Sequence, residues 1–342
     1  MSRRILIIYT GGTIGMIKDP ESGILRPFDL DRILQQVPEL STFGYTLDAK
    51  TFEKPIDSSN MQPAIWLELA SIIEKNYAAY NGFVILHGSD TMAYTASALS
   101  FLLQNLGKSV VLTGSQLPIG HVRTDAKENL ITSIEIAAAA HADGSSRVPE
   151  VCLYFDYQLY RGNRVIKYNA EKFEAFHSPN HAPLAEAGIR IRYHDNYILP
   201  QPKGVFKVHH QLGTAVGSLK LFPGMSQAVF EAILHAPDLS VLILEGYGAG
   251  NGPTAQWFLN ALSTFIKTGK TVMAITQCHG GSVELGKYET SAQLLEIGVI
   301  SGHDLTFEAS VTKAMFLLGQ GFAGQRLENE LQRAICGELS KI

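Results

Sequence analysis

The chain has 342 residues, 46% hydrophobic and 18% charged, which is enough apolar material for a sizeable core and, at roughly 150 residues per domain, suggests two domains. Its 28 basic and 32 acidic residues leave a net charge of −4 without a basic block, so the electrostatic footprint of a nucleic-acid binder is missing. The stretch Met92 to Gly107 is too short and polar to span a bilayer, and the run Ile5 to Tyr9 is shorter than the core of a signal peptide, so neither membrane insertion nor signal-led export is expected. Ile5 to Tyr9 is instead a β-prone run ended by two glycines and reads as a buried parallel strand. Pro63 suits a first helical turn, and Ile65, Leu69, Ile72 and Ile73 then share one face of a helix reaching about Asn76. Strands follow at Phe83 to Leu86, Val110 to Leu112 and Val151 to Phe155, with helices at about Thr91 to Gln104 and Glu128 to Ala140 between them. Short crossovers between such apolar strands imply a parallel sheet covered by helices on both faces.

From about Tyr193 breakers dominate, with Asp195-Asn196, Pro200 to Gly204 and His209-His210. The organisation expected is a larger N-terminal α/β domain over 1–194 with a mostly parallel sheet flanked by helices, a linker over 195–212, and a smaller C-terminal α/β domain over 213–342. In the latter, strands are expected at Val241 to Leu244 and Val272 to Thr276, and helices at Ser226 to His235, Thr254 to Thr268 and Glu308 to Leu318. Cys152, Cys278 and Cys336 are odd in number and far apart, as buried reduced thiols of a cytoplasmic protein would be.

Ligands of open α/β sheets sit beyond the carboxyl ends of the strands. Three loops there pair glycine with hydroxyls: Thr10-Gly11-Gly12-Thr13, His87-Gly88-Ser89-Asp90-Thr91 and Thr113-Gly114-Ser115-Gln116. Any one of them alone reads as a tight turn; three at equivalent strand ends point to a shared polar pocket. Asp90, the only carboxylate among them, is suited either to cap a helix or to serve a site. The basic segment Tyr160 to Lys167 is either a solvated loop or the source of a lysine that forms a buried ion pair with Asp90 and helps take a proton from Ser89. Spacing leaves both open.

Several signatures fail. Gly269-Lys270-Thr271 lacks the P-loop glycine at 264 and precedes a strand, and Asn251 stands where the glycines at 246, 248 and 250 would need a further one for a dinucleotide fingerprint. There is no His-Glu-x-x-His or Cys-x-x-Cys, His177 and His181 flank Pro179, and Gly281-Ser282-Val283 runs on to Glu284 instead of completing a Gly-x-Ser-x-Gly elbow. No cofactor and no metal are expected.

The residues resemble a known family. Tyr9-Thr10-Gly11-Gly12-Thr13-Ile14-Gly15-Met16, Asp57-Ser58-Ser59-Asn60-Met61, Gly82 to Met92, Leu159 to Arg164 leading to Lys167, and Tyr247-Gly248-Ala249-Gly250-Asn251 are similar to blocks of the bacterial type I L-asparaginases, the cytoplasmic members of the asparaginase/glutaminase family. The resemblance implies hydrolysis of L-asparagine to aspartate and ammonia by a homotetramer built as a dimer of dimers. It carries Thr13 over as nucleophile forming an acyl-enzyme, with Ser89, Asp90 and Lys167 as the second hydroxyl, acid and base group. Asp90 is expected to bind the substrate ammonium, Ser58 with Asp57 and Ser59 its α-carboxylate, and Asn251 to reach into a neighbouring subunit's site.

This sequence departs from the family pattern twice. Ser89 stands where the family usually has threonine, keeping the hydroxyl but losing the methyl that restricts its rotamer. The segment Lys18 to Phe28, where many relatives carry a tyrosine that contacts the nucleophile, has none, and no tyrosine occurs between Gly11 and Gly44. Activity is nonetheless expected to be retained, with asparagine preferred over glutamine. The alternatives are an ammonia-releasing subunit of a tRNA-dependent amidotransferase, disfavoured because the first motif already begins at Tyr9, and a non-catalytic asparagine sensor, disfavoured by the hydroxyls and Lys167. Some relatives respond cooperatively to substrate through a second site, with which the strand end at Thr276-Gln277-Cys278 is compatible; a buried structural cysteine explains Cys278 equally well.

Overall fold

The computed structural model describes residues 2–18, 25–27 and 37–340, and much of the segment Lys18 to Phe28 lies outside them. The chain divides into two compact units, Met1–His210 and Gln211–Ile342. The first is built on an eight-stranded sheet. Its strands are β1 (Arg4–Tyr9), β2 (Thr46–Thr51), β3 (Gly82–Leu86), β4 (Val110–Thr113), β5 (Val151–Phe155), β6 (Gln158–Arg161), β7 (Ala185–Glu186) and β8 (Arg192–Tyr193). Their order is β8-β7-β6-β5-β4-β3-β1-β2. From β2 to β5 all pairs are parallel, and β6, β7 and β8 continue the sheet antiparallel.

Every residue of β3 and β5 is buried, so side chains pointing to either face meet a covering layer. Helices α1 (Pro63–Asn76), α2 (Met92–Leu102) and α3 (Ala126–Ala138) are the crossovers. The first begins with Pro63, whose missing N–H costs nothing there, and buries Trp66, Leu69, Ala70, Ile72 and Ile73; Ile65 stays half-buried. The second stops at Leu102, short of the expected Gln104, because Leu103–Gln104 pair antiparallel with Lys207–Val208.

Register positions the site. Tyr9 lies opposite Leu86 and Leu86 opposite Thr113, so β1, β3 and β4 end level and their loops emerge side by side.

The second unit carries a four-stranded parallel sheet, β9 (Val216–Lys220), β10 (Val241–Gly246), β11 (Thr271–Thr276) and β12 (Ile300–Ser301), in that order. Its helices are α4 (Gln227–Leu234), α5 (Gln256–Lys267), α6 (Glu289–Glu296), α7 (Phe307–Gly319) and α8 (Gly324–Gln332). Ser226 and Thr306 cap α4 and α7 by accepting from the N–H groups of Val229 and Ala309.

The unit boundary falls within the stretch 195–212. Most of that stretch is pinned to the first unit: the Leu199 N–H donates to Glu150 (2.8 Å), Arg161 donates to the Tyr197 carbonyl (2.6 Å), and Phe206 stacks on Tyr77. The cysteines are free, but only Cys152 is buried, inside β5; Cys278 is exposed because it follows the end of β11, where the chain has left the core, and Cys336 is intermediate. Among the described residues no helix is long and apolar enough to cross a membrane.

Candidate active site

The glycine loops meet backbone to backbone. Gly12 has φ +91°, and a Cβ there would lie 2.5 Å from the N and Cα of Gly88; on Gly88 a Cβ would lie 2.5 Å from the Ser58 hydroxyl oxygen, and on Gly114 one would lie 2.4 Å from the His87 carbonyl oxygen. Glycine is thus required for the loops after β1, β3 and β4 to close on one another. Hydrogen bonds hold the arrangement: the Thr10 N–H and hydroxyl both donate to the Leu86 carbonyl (3.0 Å each), the Ile56 N–H to the Thr10 carbonyl (2.7 Å), and the Thr91 hydroxyl to the Ser58 carbonyl (2.7 Å). Thr13 opens the short 3-10 turn that follows, half-buried.

Ser89, Asp90 and Lys167 come together although 77 residues separate the last two. The Lys167 Nζ donates to Asp90 Oδ1 at 2.6 Å and to Ser89 Oγ at 2.9 Å. The lysine arrives on a short hairpin, Ile166–Lys167 paired with Phe176–His177. The pair is not the buried one expected: the Asp90 side chain is 63% exposed against 18% for Lys167, since Asp90 faces the open side of the loop cluster. Nor does Asp90 cap α2, whose cap residue is Thr91 and makes no side-chain cap bond.

Around this centre, fixed polar groups set the loop conformations. Asp57 accepts from the N–H and hydroxyl of Ser59 (2.9 Å each), which holds its carboxyl below the usual range, while Ser58 is buried beside Gly88. His87 is fully buried; its Nδ1 donates to the Gly88 carbonyl (2.7 Å), a group that can only accept. The Nε2 then accepts from the Thr95 hydroxyl (2.8 Å), which accepts from the Trp66 indole (2.9 Å). Burial, opposed only by the Gly88 bond, pushes His87 down to about 4. A neutral imidazole with both nitrogens engaged orients the loop and is no free base.

The remaining cations of the Tyr160 to Lys167 segment are not solvated but buried in internal bonds. Arg161 is buried, 2.6 Å from the equally buried Glu150, and Arg164 is buried and donates to the Asn180 carbonyl (2.8 Å). Asn251 lies in the second unit, in a turn bridged to Tyr247, and accepts from Thr290 (2.8 Å). Among the described residues, no three His, Cys, Asp or Glu side chains are grouped to hold a metal ion.

Two neighbours of the site lie within the sequence motifs, which give them no role. Tyr9 packs its ring under the Thr13 turn, where a Cβ on Gly15 would meet its hydroxyl at 2.5 Å, and burial pushes its phenol up to about 12. Gln116, in the third loop, reaches the Ser89 hydroxyl with its side-chain oxygen at 3.5 Å. The hydroxyl-and-glycine pattern singles out Gln116's loop, but only the tertiary structure shows what its side chain reaches.

The structure thus brings an oriented lysine and hydroxyl-bearing loops together on closely packed backbone, components that acyl transfer can use. Residues 4–199 match the family model "Asparaginase, N-terminal" and residues 215–330 the model "Glutaminase/Asparaginase C-terminal domain". The chain is 40% identical to L-asparaginase 1 of Escherichia coli over 99% of its own length and 98% of that protein's. It is similar to the crystal structure of L-asparaginase I from Vibrio cholerae with a TM-score of 0.90 and 38% identity, covering 100% of both chains. It is also 29% identical to a glutamyl-tRNA(Gln) amidotransferase component of Thermoplasma volcanium, covering 98% of this chain and 81% of that one. The chain belongs to the asparaginase family.

Proposed function

We propose that this protein hydrolyses L-asparagine to L-aspartate and ammonia, with Thr13 as nucleophile and Ser89, Asp90 and Lys167 as the supporting group. The observation that carries this reading is the Lys167 ammonium bridging Ser89 (2.9 Å) and Asp90 (2.6 Å) on a loop packed against the Gly11-Gly12-Thr13 loop. The Thr13 oxygen attacks the side-chain amide carbon, and the tetrahedral oxyanion is met by backbone N–H groups of the Ser89 loop. Collapse breaks the C–N bond, the nitrogen takes a proton relayed from the hydroxyl and leaves as ammonia, and an aspartyl ester remains on Thr13. Water adds to the ester, returning the proton to the threonine oxygen and releasing aspartate.

Ser58 holds the substrate α-carboxylate, with Asp57 fixing the Ser59 turn beside it, and Asp90 takes the α-ammonium, which orients the amide carbon toward Thr13. In a homotetramer of paired dimers, Asn251 completes a neighbouring subunit's site, and the enzyme works in the cytoplasm. Asparagine is preferred over glutamine, a discrimination of one methylene on the order of 1–3 kcal/mol. The test is ammonia release from both amino acids by the purified protein, with folded Thr13→Ala and Lys167→Ala beside it. Release from asparagine that collapses in both variants is the expected result. Release seen only with a partner protein and tRNA would favour the amidotransferase reading that the Thermoplasma relative suggests.

A further inference from the structure

Serine at position 89 leaves a rotor that must be fixed by something other than a γ-methyl group. Gln116 stands where it can do so. Its backbone N–H and that of Leu117 both donate to the Asp125 carboxylate (2.9 and 3.1 Å), which also accepts from Asn129 (3.3 Å), so the loop is anchored at the start of α3. Its side-chain Nε2 donates to the carbonyls of Ala170 (3.2 Å) and Lys172 (2.9 Å). Carbonyls only accept, so both amide hydrogens are committed there and Oε1 must be the atom turned to Ser89. Those carbonyls belong to the loop of the hairpin that carries Lys167, a loop tightened by Asn169 accepting from the N–H groups of Glu171 (2.8 Å) and Lys172 (2.9 Å).

The Ser89 oxygen therefore has Lys167 donating to it at 2.9 Å and its own hydrogen directed to Gln116 Oε1 at 3.5 Å. The second bond is long, as catalytic bonds without substrate often are. We propose that Gln116 is a positioning residue for the reaction: its carboxamide clips the Lys167 hairpin to the third loop and fixes the Ser89 hydroxyl rotor, the task that a methyl group would perform on threonine. A residue that only supported the third loop would be indifferent to what stands at position 89, whereas a rotor clamp is not.

The proposal rests on the amidohydrolase reading, and the experiment keeps the two apart. Steady-state ammonia release from L-asparagine is measured for the parent, Gln116→Leu, Ser89→Thr and the double variant, each checked for folding by thermal unfolding. In the serine background Gln116→Leu lowers kcat roughly ten- to hundredfold with KM little changed, the scale on which misplacing a reacting group acts. In the threonine background the same substitution costs less than about threefold, because the two changes are coupled. Equal losses in both backgrounds, or no loss with serine, would overturn the inference while leaving the amidohydrolase intact. A parent that releases no ammonia would overturn the underlying reading instead. Should Gln116→Leu not fold, Gln116→Met, unbranched and of the same length, supplies the same comparison.

Discussion

Lys167 and Asp90 stand 2.6 Å apart in the first unit, and Lys313 and Glu338 stand 2.7 Å apart in the second. The distances are alike and the surroundings opposite. Lys313 and Glu338 have side chains with no exposure at all, and every bond is internal: the ammonium also donates to the carbonyls of Leu331 (2.8 Å) and Arg333 (2.7 Å), and the carboxylate accepts from the N–H groups of Ile335 (2.9 Å) and Cys336 (2.8 Å). Burial pushes the Glu338 carboxyl up, but the ammonium and two N–H groups outweigh it and hold the group below the usual range. This pair staples the segment after α8 to α7 and has no capacity left for a ligand. Lys167 instead spends its bonds on a hydroxyl and on a carboxylate that is 63% exposed, leaving Asp90 free to take an incoming cation. A pair becomes useful to chemistry where one partner still faces solvent.

The comparison can be broken by removing each lysine. Lys167→Met should lower kcat/KM for asparagine by about 10²- to 10⁴-fold, the range for loss of a positioned acid–base group, while thermal unfolding barely moves. Lys313→Met leaves a buried carboxylate without its cation and should destabilise the fold by about 3–5 kcal/mol in denaturant titration, with kcat of the surviving folded protein little altered. Equal stability costs for the two would contradict the distinction.

Glu308, at the start of α7, is the opposite case, a half-buried residue whose buried Oε2 has no cation beside it among the described residues. Burial pushes it up from 4.5 to about 7, and its Oε2 has no hydrogen-bond partner among the described residues. The folded state holds this proton where the unfolded chain has lost it, so stability falls as pH rises from 4.5 to about 7 and stays lowered above. Glu308→Gln should therefore stabilise the protein more at pH 8 than at pH 5, by up to about 3 kcal/mol, read as the difference in unfolding free energy between the two pH values. A gain independent of pH would count against a buried proton at Glu308.

The buried strands were legible because their residues are apolar on both faces and their ends are marked by glycine. The edge strands were not: β2, Thr46–Thr51, has no fully buried residue, and β9, Val216–Lys220, buries only Leu219, so neither carries an apolar run. The hairpin around Lys167 rests on two residues per strand, too short for any periodicity to register. At the site, the pattern of glycines and hydroxyls located three of the loops, since close backbone approach demands glycine whatever the ligand. A lysine of the Tyr160 to Lys167 segment paired with Asp90 is one of two readings that the sequence leaves open, and resemblance singles out Lys167, because no spacing rule links positions 77 residues apart. The glycine-and-hydroxyl pattern marks the loop of Gln116 but not its side chain, whose position depends on two carbonyls, Ala170 and Lys172, that no side-chain pattern encodes.

In the proposed reaction Thr13 carries the acyl group and Ser89 only assists. Tryptic cleavage separates them, Thr13 falling between Arg4 and Lys18 and Ser89 between Lys75 and Lys108. Rapid acid quench of the parent and of Lys167→Met turning over L-asparagine, followed by peptide mass spectrometry, would therefore locate the ester. We expect an aspartyl adduct on the Thr13 peptide that disappears in Thr13→Ala. An adduct on the Ser89 peptide, or undiminished ammonia release by Thr13→Ala, would contradict the account.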